Sequence, residues 1–206
     1  TFPNVCPAEN AFTAAAVNVT SMDGALIPGY NRTPMNDFPR IAVSDKNGTV
    51  SIVWNDARYH AVGDILLQSF NLDGSFPTPV QATPVRINSA IGGWHMLPAL
   101  RNTDDDGDLQ ISFYGRASAN TDVTNVYAAI DVSSLATITP GNVKVTTASS
   151  AWNSVSSDIV PNFGDYTDNY MQAQSVVPYT TQTLYVAWSD GRLGVPQPFN
   201  AHAHTA

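Results

Sequence analysis

The sequence predicts an all-β protein built from β-propeller-type blades of four antiparallel strands, with about three blades in 206 residues. Three observations predict this class. Glu9 is the only glutamate, and Lys46 and Lys144 are the only lysines, so the chain lacks the residues that usually cover the wet face of a helix. Short runs that alternate apolar and polar residues are typical of strands. These runs also recur with one layout, which indicates a repeat architecture.

The repeated segment consists of an apolar strand, a polar turn, an alternating strand ending in an aromatic residue, and a short loop that closes on an arginine. Each copy is followed by a third strand, and the first two copies also by a fourth. Third strands are predicted at 64–70, 124–130 and 199–204, and fourth strands at 85–88 and 143–146. The blade segments are therefore about 38–88, 96–146 and 163–206, within a single unit spanning 1–206.

The blade at 163–206 is expected to be divided between the two ends of the chain. Residues 11–20 resemble the fourth-strand segments, whereas the last residues form a third strand with no fourth after it. An unpaired strand edge is a template for another chain. The sequence thus predicts self-association through unpaired edge strands, as a dimer or a polymer, unless the chain is a slice of a longer polypeptide.

Charge and hydropathy exclude two classes of partner. The formal net charge is −8, and the sequence has no basic stripe, so nucleic-acid binding is not expected. No apolar run approaches 18 residues, so no membrane span is expected. The sequence begins with Thr-Phe-Pro, and Cys6 is its only cysteine. We interpret the chain as a processed protein that is secreted and extracellular.

Three short motifs resemble those of the sialidase-like BNR-repeat (Asp-box) β-propeller proteins. They are Trp-Asn-Asp-Ala-Arg at 54–58, Trp-Ser-Asp-Gly-Arg at 188–192 and Phe-Gly-Asp-Tyr-Thr at 163–167. Residues 69–76 are similar to the Asp-box turn, but Asn71 replaces its Asp and Asp73 replaces a Gly. The resemblance implies a propeller fold and a glycan as partner.

The resemblance also raises the question of catalysis. It implies an arginine triad, a tyrosine nucleophile paired with a glutamate, and an aspartate as acid/base. A glycosidase needs two carboxyl groups, or a tyrosine activated by one, across a pocket. Because Glu9 is the only glutamate, we favour a non-catalytic propeller that binds glycan or assembles by sharing strands. The alternative is a fragment or subunit of a sialidase-like glycoside hydrolase.

Five residues are ligand-binding candidates through the family motifs. Arg58, Arg116 and Arg192 look like a triad, but recurrence at one place in each blade favours a structural Arg–Asp or Arg–carbonyl clamp between neighbouring strands. Asp165 and Tyr166 belong to the Gly-Asp-Tyr element. They either face the propeller axis or hold the first strand of their blade.

Two further candidates, Trp94 and His95, follow Gly92 and Gly93 in a loop. An exposed aromatic side chain there would stack on a sugar ring, and the alternative is packing against its own blade. In contrast, Trp54 and Trp188 end alternating strands and are expected in the core.

Asn102, Asp104 and Asp106 are candidate ligands for Ca²⁺. With Gly107 at the sixth place, they partly fit an oxygen-rich calcium loop. The closing glutamate is missing, because Phe113 occupies the twelfth place. The alternative is an ordinary hairpin turn, like residues 45–48 in the first copy.

Overall fold

The computed structural model describes residues 19–22, 25–30, 38–73, 78–103, 107–154, 167–172, 183–194 and 197–204. Three antiparallel sheets, none of them closed, and one 3₁₀ turn at Trp152–Ser154 make up their regular structure. This confirms the all-β class. The described residues include no helix that is long and apolar enough to cross a membrane.

The first sheet is an up-and-down meander of four strands. These are β1 (Arg40–Ser44), β2 (Thr49–Asp56), β3 (Asp64–Asn71) and β4 (Val85–Arg86), in the order β1-β2-β3-β4. Gly48 closes the first hairpin with a φ of 59°, a conformation that glycine adopts without steric cost. The predicted third strand is confirmed, and the fourth is shorter than predicted.

The second sheet has the same meander. It contains β5 (His95–Asn102), β6 (Leu109–Arg116), β7 (Val123–Val132) and β8 (Val143–Lys144), and β9 (Ser150–Ala151) pairs with the other end of β7. A bulge in β5 holds Leu97 at a φ of 52°. There the backbone N–H of Leu97 donates to the Asn55 side chain (3.0 Å), and its carbonyl accepts from the Thr167 hydroxyl (2.6 Å). The bulge therefore joins the second sheet to residues on both sides of it.

The third sheet has three strands in the described part of the chain. These are β10 (Asp168–Gln172), β11 (Thr183–Asp190) and β12 (Gln197–His204), in the order β10-β11-β12. The predicted strand at 199–204 is confirmed within β12. The predicted fourth strand at 11–20 lies outside the described residues except for Val19 and Thr20.

The sheets stack face to face, with the second sheet in the middle. One core cluster joins the first and second sheets through Val53, Ile65, Leu67, Leu100, Ile111 and Phe113. The other joins the second and third sheets and residues 22–30 through Met22, Tyr30, Tyr114, Trp152, Leu184 and Trp188. All eight residues of β6 are buried, although alternation predicts a half-buried strand, because both faces of its sheet are covered.

Candidate functional site

Arg58, the first candidate arginine, belongs to a closed turn at the end of β2. The buried carboxylate of Asp56 accepts hydrogen bonds from Trp54 Nε1 (2.8 Å) and from the backbone N–H (2.8 Å) and Nη2 (2.7 Å) of Arg58. Burial works against the charged carboxylate, but the hydrogen bonds from Arg58 and Trp54 outweigh it, so the pKa of Asp56 lies below 3.8.

Arg192 repeats this arrangement at the end of β11. Asp190 accepts from Trp188 Nε1 (3.1 Å) and from the backbone N–H (2.8 Å) and Nη2 (2.6 Å) of Arg192. Its pKa is also lowered, because the same kinds of hydrogen bond outweigh burial. Each Arg–Asp pair joins residues two apart in one turn. Arg192 also reaches the segment before β9, where it donates to the hydroxyl of Thr147 (3.4 Å) and the carbonyl of Ala148 (3.3 Å), so it forms an Arg–carbonyl contact with the second sheet as well. Trp54 and Trp188 are buried, as predicted.

Arg116 does not occupy the position of the other two arginines. It ends β6 opposite Thr124, just as Asp56 ends β2 opposite Asp64 and Asp190 ends β11 opposite Gln197. Arg116 therefore takes the place of the two aspartates. The prediction that the three arginines recur at one place in each blade is wrong, because the second loop is placed differently relative to the strand end.

The guanidinium of Arg116 is enclosed by its own chain. Nε donates to the hydroxyl of Thr124 (2.9 Å), and Nη1 donates to the carbonyls of Pro28 (2.7 Å) and Thr121 (3.0 Å). Its carbon lies 4.8 Å from the centre of the Trp152 ring. Burial lowers the pKa of Arg116 to about 10. The side chain fixes residues 25–30 against the second sheet, and only 2% of the residue is exposed to a ligand.

Trp94 and His95 are both buried, which favours packing against their own sheet over an exposed aromatic surface for stacking on a sugar. Trp94 Nε1 donates to the carbonyl of Ala119 (2.8 Å). Burial lowers the pKa of His95 to about 4, which keeps its ring neutral at physiological pH. A Cβ on Gly93 would collide with the carbonyl oxygen of Arg116, so glycine lets the loop lie directly against its own sheet.

A histidine–aspartate pair that sequence reasoning missed lies beside the first sheet. His60 Nδ1 is 2.7 Å from the buried carboxylate of Asp64, which also accepts from Asn88 Nδ2 (2.7 Å). The spacing of four residues across a loop was its only sequence signal. These bonds fix the loop after β2 to the start of β3.

The proposed calcium loop is described only at its ends. Asn102 ends β5, and the Thr103 N–H donates to the carbonyl of Asp108 (2.8 Å). Asp104 and Asp106 lie outside the described residues, as do Asp165 and Tyr166, so these assignments stay predictions. In the part of the chain that the structure describes, no group of three His, Cys, Asp or Glu residues is placed to hold a metal ion.

The outer face of the third sheet carries a surface that sequence reasoning also missed. Tyr170 and Tyr185 are directly opposite each other on β10 and β11, and they are 63% and 39% exposed. In the next row, Ala187 lies between Asp168 and Asn200. A depression of about 200 Å³ lies over these residues. We call Asp168, Tyr170, Tyr185, Ala187 and Asn200 the tyrosine face.

A second cavity lies between the second and third sheets beside β12. Its volume is about 210 Å³, and it is lined by Ala128, Ile130, Val143, Lys144, Val145, Leu184, Val186 and Ala201. The small side chains of Ala128 and Ala201 leave this space unfilled. We call it the edge cavity, because it lies next to the outer strand of the third sheet.

Comparison with models of known protein families finds no match, and comparison with characterised proteins finds none either.

Proposed function

We propose that the chain is a non-catalytic, extracellular, propeller-type module that self-assembles by accepting a strand at the edge of β12. The observation that carries this proposal is the incomplete third sheet. The third strands of the other sheets, β3 and β7, each pair with a fourth strand. Among the described residues, no strand pairs with the outer side of β12. Such an edge offers backbone donors and acceptors to an added strand.

The arrangement of the sheets supports the propeller-type part of the proposal. The first sheet is a four-stranded meander, the second contains one with β9 added beside β7, and successive sheets stack face to face. The first strand of the second sheet, β5, packs against β1 on one side and β10 on the other. The resemblance to sialidase-like proteins adds support, and it also favours a glycan as ligand and a location outside the cell.

The edge cavity supports the acceptor role of β12. Ala201 of β12 points toward the second sheet, where it packs against the core cluster. A strand added beside β12 would place every second side chain on the same face, next to the cavity. An incoming valine or leucine would bury apolar surface against Val143 and Ala201. The fourth strand would therefore fill space that the described residues leave empty.

We propose residues 11–20 of a neighbouring copy as the donor. This segment resembles the fourth strands of the other sheets, and Val17 and Val19 alternate along it. Thr20 is held at the first sheet, where its N–H donates to Asp56 (3.3 Å) and its carbonyl accepts from Ala57 (2.9 Å). The donor therefore leaves from the first sheet, whereas the acceptor edge belongs to the third.

The environment of the arginines supports the non-catalytic part of the proposal. Arg58 and Arg192 are paired with Asp56 and Asp190 in their own turns. Arg116 is enclosed by backbone carbonyls and Trp152. Arginines engaged in this way support a structural role rather than a shared carboxylate-binding site. Release of sialic acid from a chromogenic glycoside by this chain would overturn this part of the proposal.

The assembly is tested by measuring the mass of the native particle over a range of protein concentrations. We expect a dimer or a larger species for the full chain. Deleting residues 11–18 should give a folded monomer, since the deletion retains Thr20 and its bonds to the first sheet. A full chain that stays at 22.0 kDa, or a deleted chain that still assembles, would contradict strand sharing.

A point substitution tests the acceptor site separately. Ala201→Leu fills the edge cavity and should block a donated side chain, so we expect weaker assembly without loss of folding. Ala187→Leu is the matched control, because Ala187 lies on the opposite face of the same sheet. If both variants assemble like the original chain, the edge cavity is not the acceptor.

A further inference from the structure

The tyrosine face differs in chemistry from the faces that the sheets bury. The inner face of the third sheet carries Met171, Leu184, Val186 and Trp188, all buried against the second sheet. The outer face carries two tyrosines, an aspartate, an asparagine and an alanine. Tyrosine with carboxylate and amide groups is typical of surfaces that combine apolar contact with hydrogen bonding. This face is therefore suited to a ligand that is itself amphipathic.

The register of three strands builds a shallow site on this face. Tyr170 and Tyr185 form a cross-strand pair, and side chains so placed have Cβ atoms roughly 5 Å apart. Their rings therefore line one side of the depression. The small side chain of Ala187 forms the bottom of the depression, and the polar groups of Asp168 and Asn200 lie on either side of Ala187.

We propose that the tyrosine face binds a neutral sugar residue of an oligosaccharide. A pyranose ring has one apolar C–H face and a rim of hydroxyl groups. The C–H face packs on the tyrosines, while Asp168 and Asn200 accept and donate hydrogen bonds at the hydroxyls. The depression is about 200 Å³. Since a cavity of about 150 Å³ takes one benzene, this site takes a single sugar ring.

The net charge of the chain favours one class of sugar. Asp168 carries a negative charge beside the depression and is paired with Arg101 at 3.1 Å. The chain as a whole has a formal net charge of −8. Because Arg101 balances the charge of Asp168, repulsion of a sialic acid or uronic acid carboxylate comes from the net negative charge of the chain. A neutral hexose or N-acetylhexosamine encounters no such penalty.

Titration calorimetry with lactose, cellobiose and N,N′-diacetylchitobiose tests the neutral class, and sialyllactose is the anionic probe. We expect binding of at least one neutral probe and weaker binding of sialyllactose. Tyr170→Ala and Tyr185→Ala should each weaken that binding about 3- to 10-fold, as expected for loss of one ring contact. Tyr→Phe at either site should retain most of the affinity, because the ring remains.

Matched controls separate this site from the acceptor edge. Tyr59→Ala removes a tyrosine that is 50% exposed elsewhere and should leave sugar binding unchanged. Ala187→Leu should abolish sugar binding by filling the depression but spare assembly, whereas Ala201→Leu should do the reverse. The sugar-binding inference and the strand-sharing proposal can therefore fail independently.

Three results would overturn the inference. The first is the absence of binding for every neutral probe, and the second is unchanged binding by both tyrosine-to-alanine variants. The third is loss of assembly in these variants, measured by the mass of the native particle, since that would identify a second copy as the occupant of the face. Preferential binding of sialyllactose would reject the neutral class.

Discussion

Replacing Asp56 with alanine should be among the most destabilising changes in the first sheet. Asp56 accepts five hydrogen bonds from described residues: one from Thr20, one from Trp54 and three from Arg58. Asp190 accepts three, from Trp188 and Arg192. The two sites share one turn geometry, so they form an internal comparison in which Asp56 has two additional bonds, one from the Thr20 backbone and one from Arg58 Nε.

The magnitude follows from what the alanine variant leaves behind. Breaking a buried ion pair by removing one partner costs about 3–5 kcal/mol. The Arg58 side chain is 23% exposed, so water partly solvates it after the change, and we expect the lower end, about 3 kcal/mol. The indole N–H of Trp54 is left buried without its acceptor, which is part of that cost. For Asp190→Ala, with fewer bonds, we expect about 2 kcal/mol.

Urea denaturation at pH 7 measures these changes as differences in the free energy of unfolding. The control is Asp168→Ala, because the Asp168 side chain is 68% exposed and forms a surface pair with Arg101. That variant should change stability by less than about 0.5 kcal/mol. A loss below about 1 kcal/mol for Asp56→Ala, or a larger loss for Asp190→Ala than for Asp56→Ala, would refute the reasoning.

Two other perturbations test the loop before the second sheet. The pKa of His95 is about 4 in the folded chain, against an ordinary value of 6.5. As the pH falls, the unfolded chain therefore binds a proton at this residue before the folded chain does. The free energy of unfolding should decrease by about 3 kcal/mol between pH 6.5 and pH 4. Urea denaturation at both pH values should show this loss in the original chain and not in His95→Gln. Gly93→Ala should destabilise the fold by more than about 2 kcal/mol, because the added Cβ would collide with the Arg116 carbonyl. The control is Gly141→Ala, which should be nearly neutral in the same thermal or urea assay, because the space around Gly141 is open.

The strand positions could be predicted from the sequence because they depend on local patterns. Alternation and turn residues indicate β2, β3, β6 and β7 without knowledge of their neighbours. Burial of Trp54 and Trp188 follows from their places at the ends of such runs. The alternation of apolar and polar residues does not show whether other parts of the chain pack on one face of a strand or on both. That depends on what packs against each face of a sheet: β2 and β3 of the first sheet are almost entirely buried, and β6 of the second sheet is entirely buried.

The site could be predicted only in part, because it depends on register. An alignment of the repeated segments on their arginines matches Arg116 with Arg58. The strand pairing instead matches Arg116 with Asp56, because both are the last residues of their strands. A shift of two residues keeps a side chain on the same face, so the alternation pattern gives no warning of it. The tyrosine face could not be predicted from the sequence for a similar reason. Its members come from three strands, and only their pairing brings Tyr170 beside Tyr185.

The two ends of the stack differ in chemistry, and this bears on the kind of assembly. The outward side chains Ile41 and Val43 of β1 are aliphatic and exposed, whereas the tyrosine face carries Asp168 and Asn200. A closed ring of two copies would have to pack one of these surfaces on the other. Burying Asp168 or Asn200 against isoleucine and valine would cost roughly 1–3 kcal/mol for each unsatisfied group. Strand addition at β12 leaves Asp168 and Asn200 in water, so we expect strand-shared assemblies that remain open rather than a closed ring.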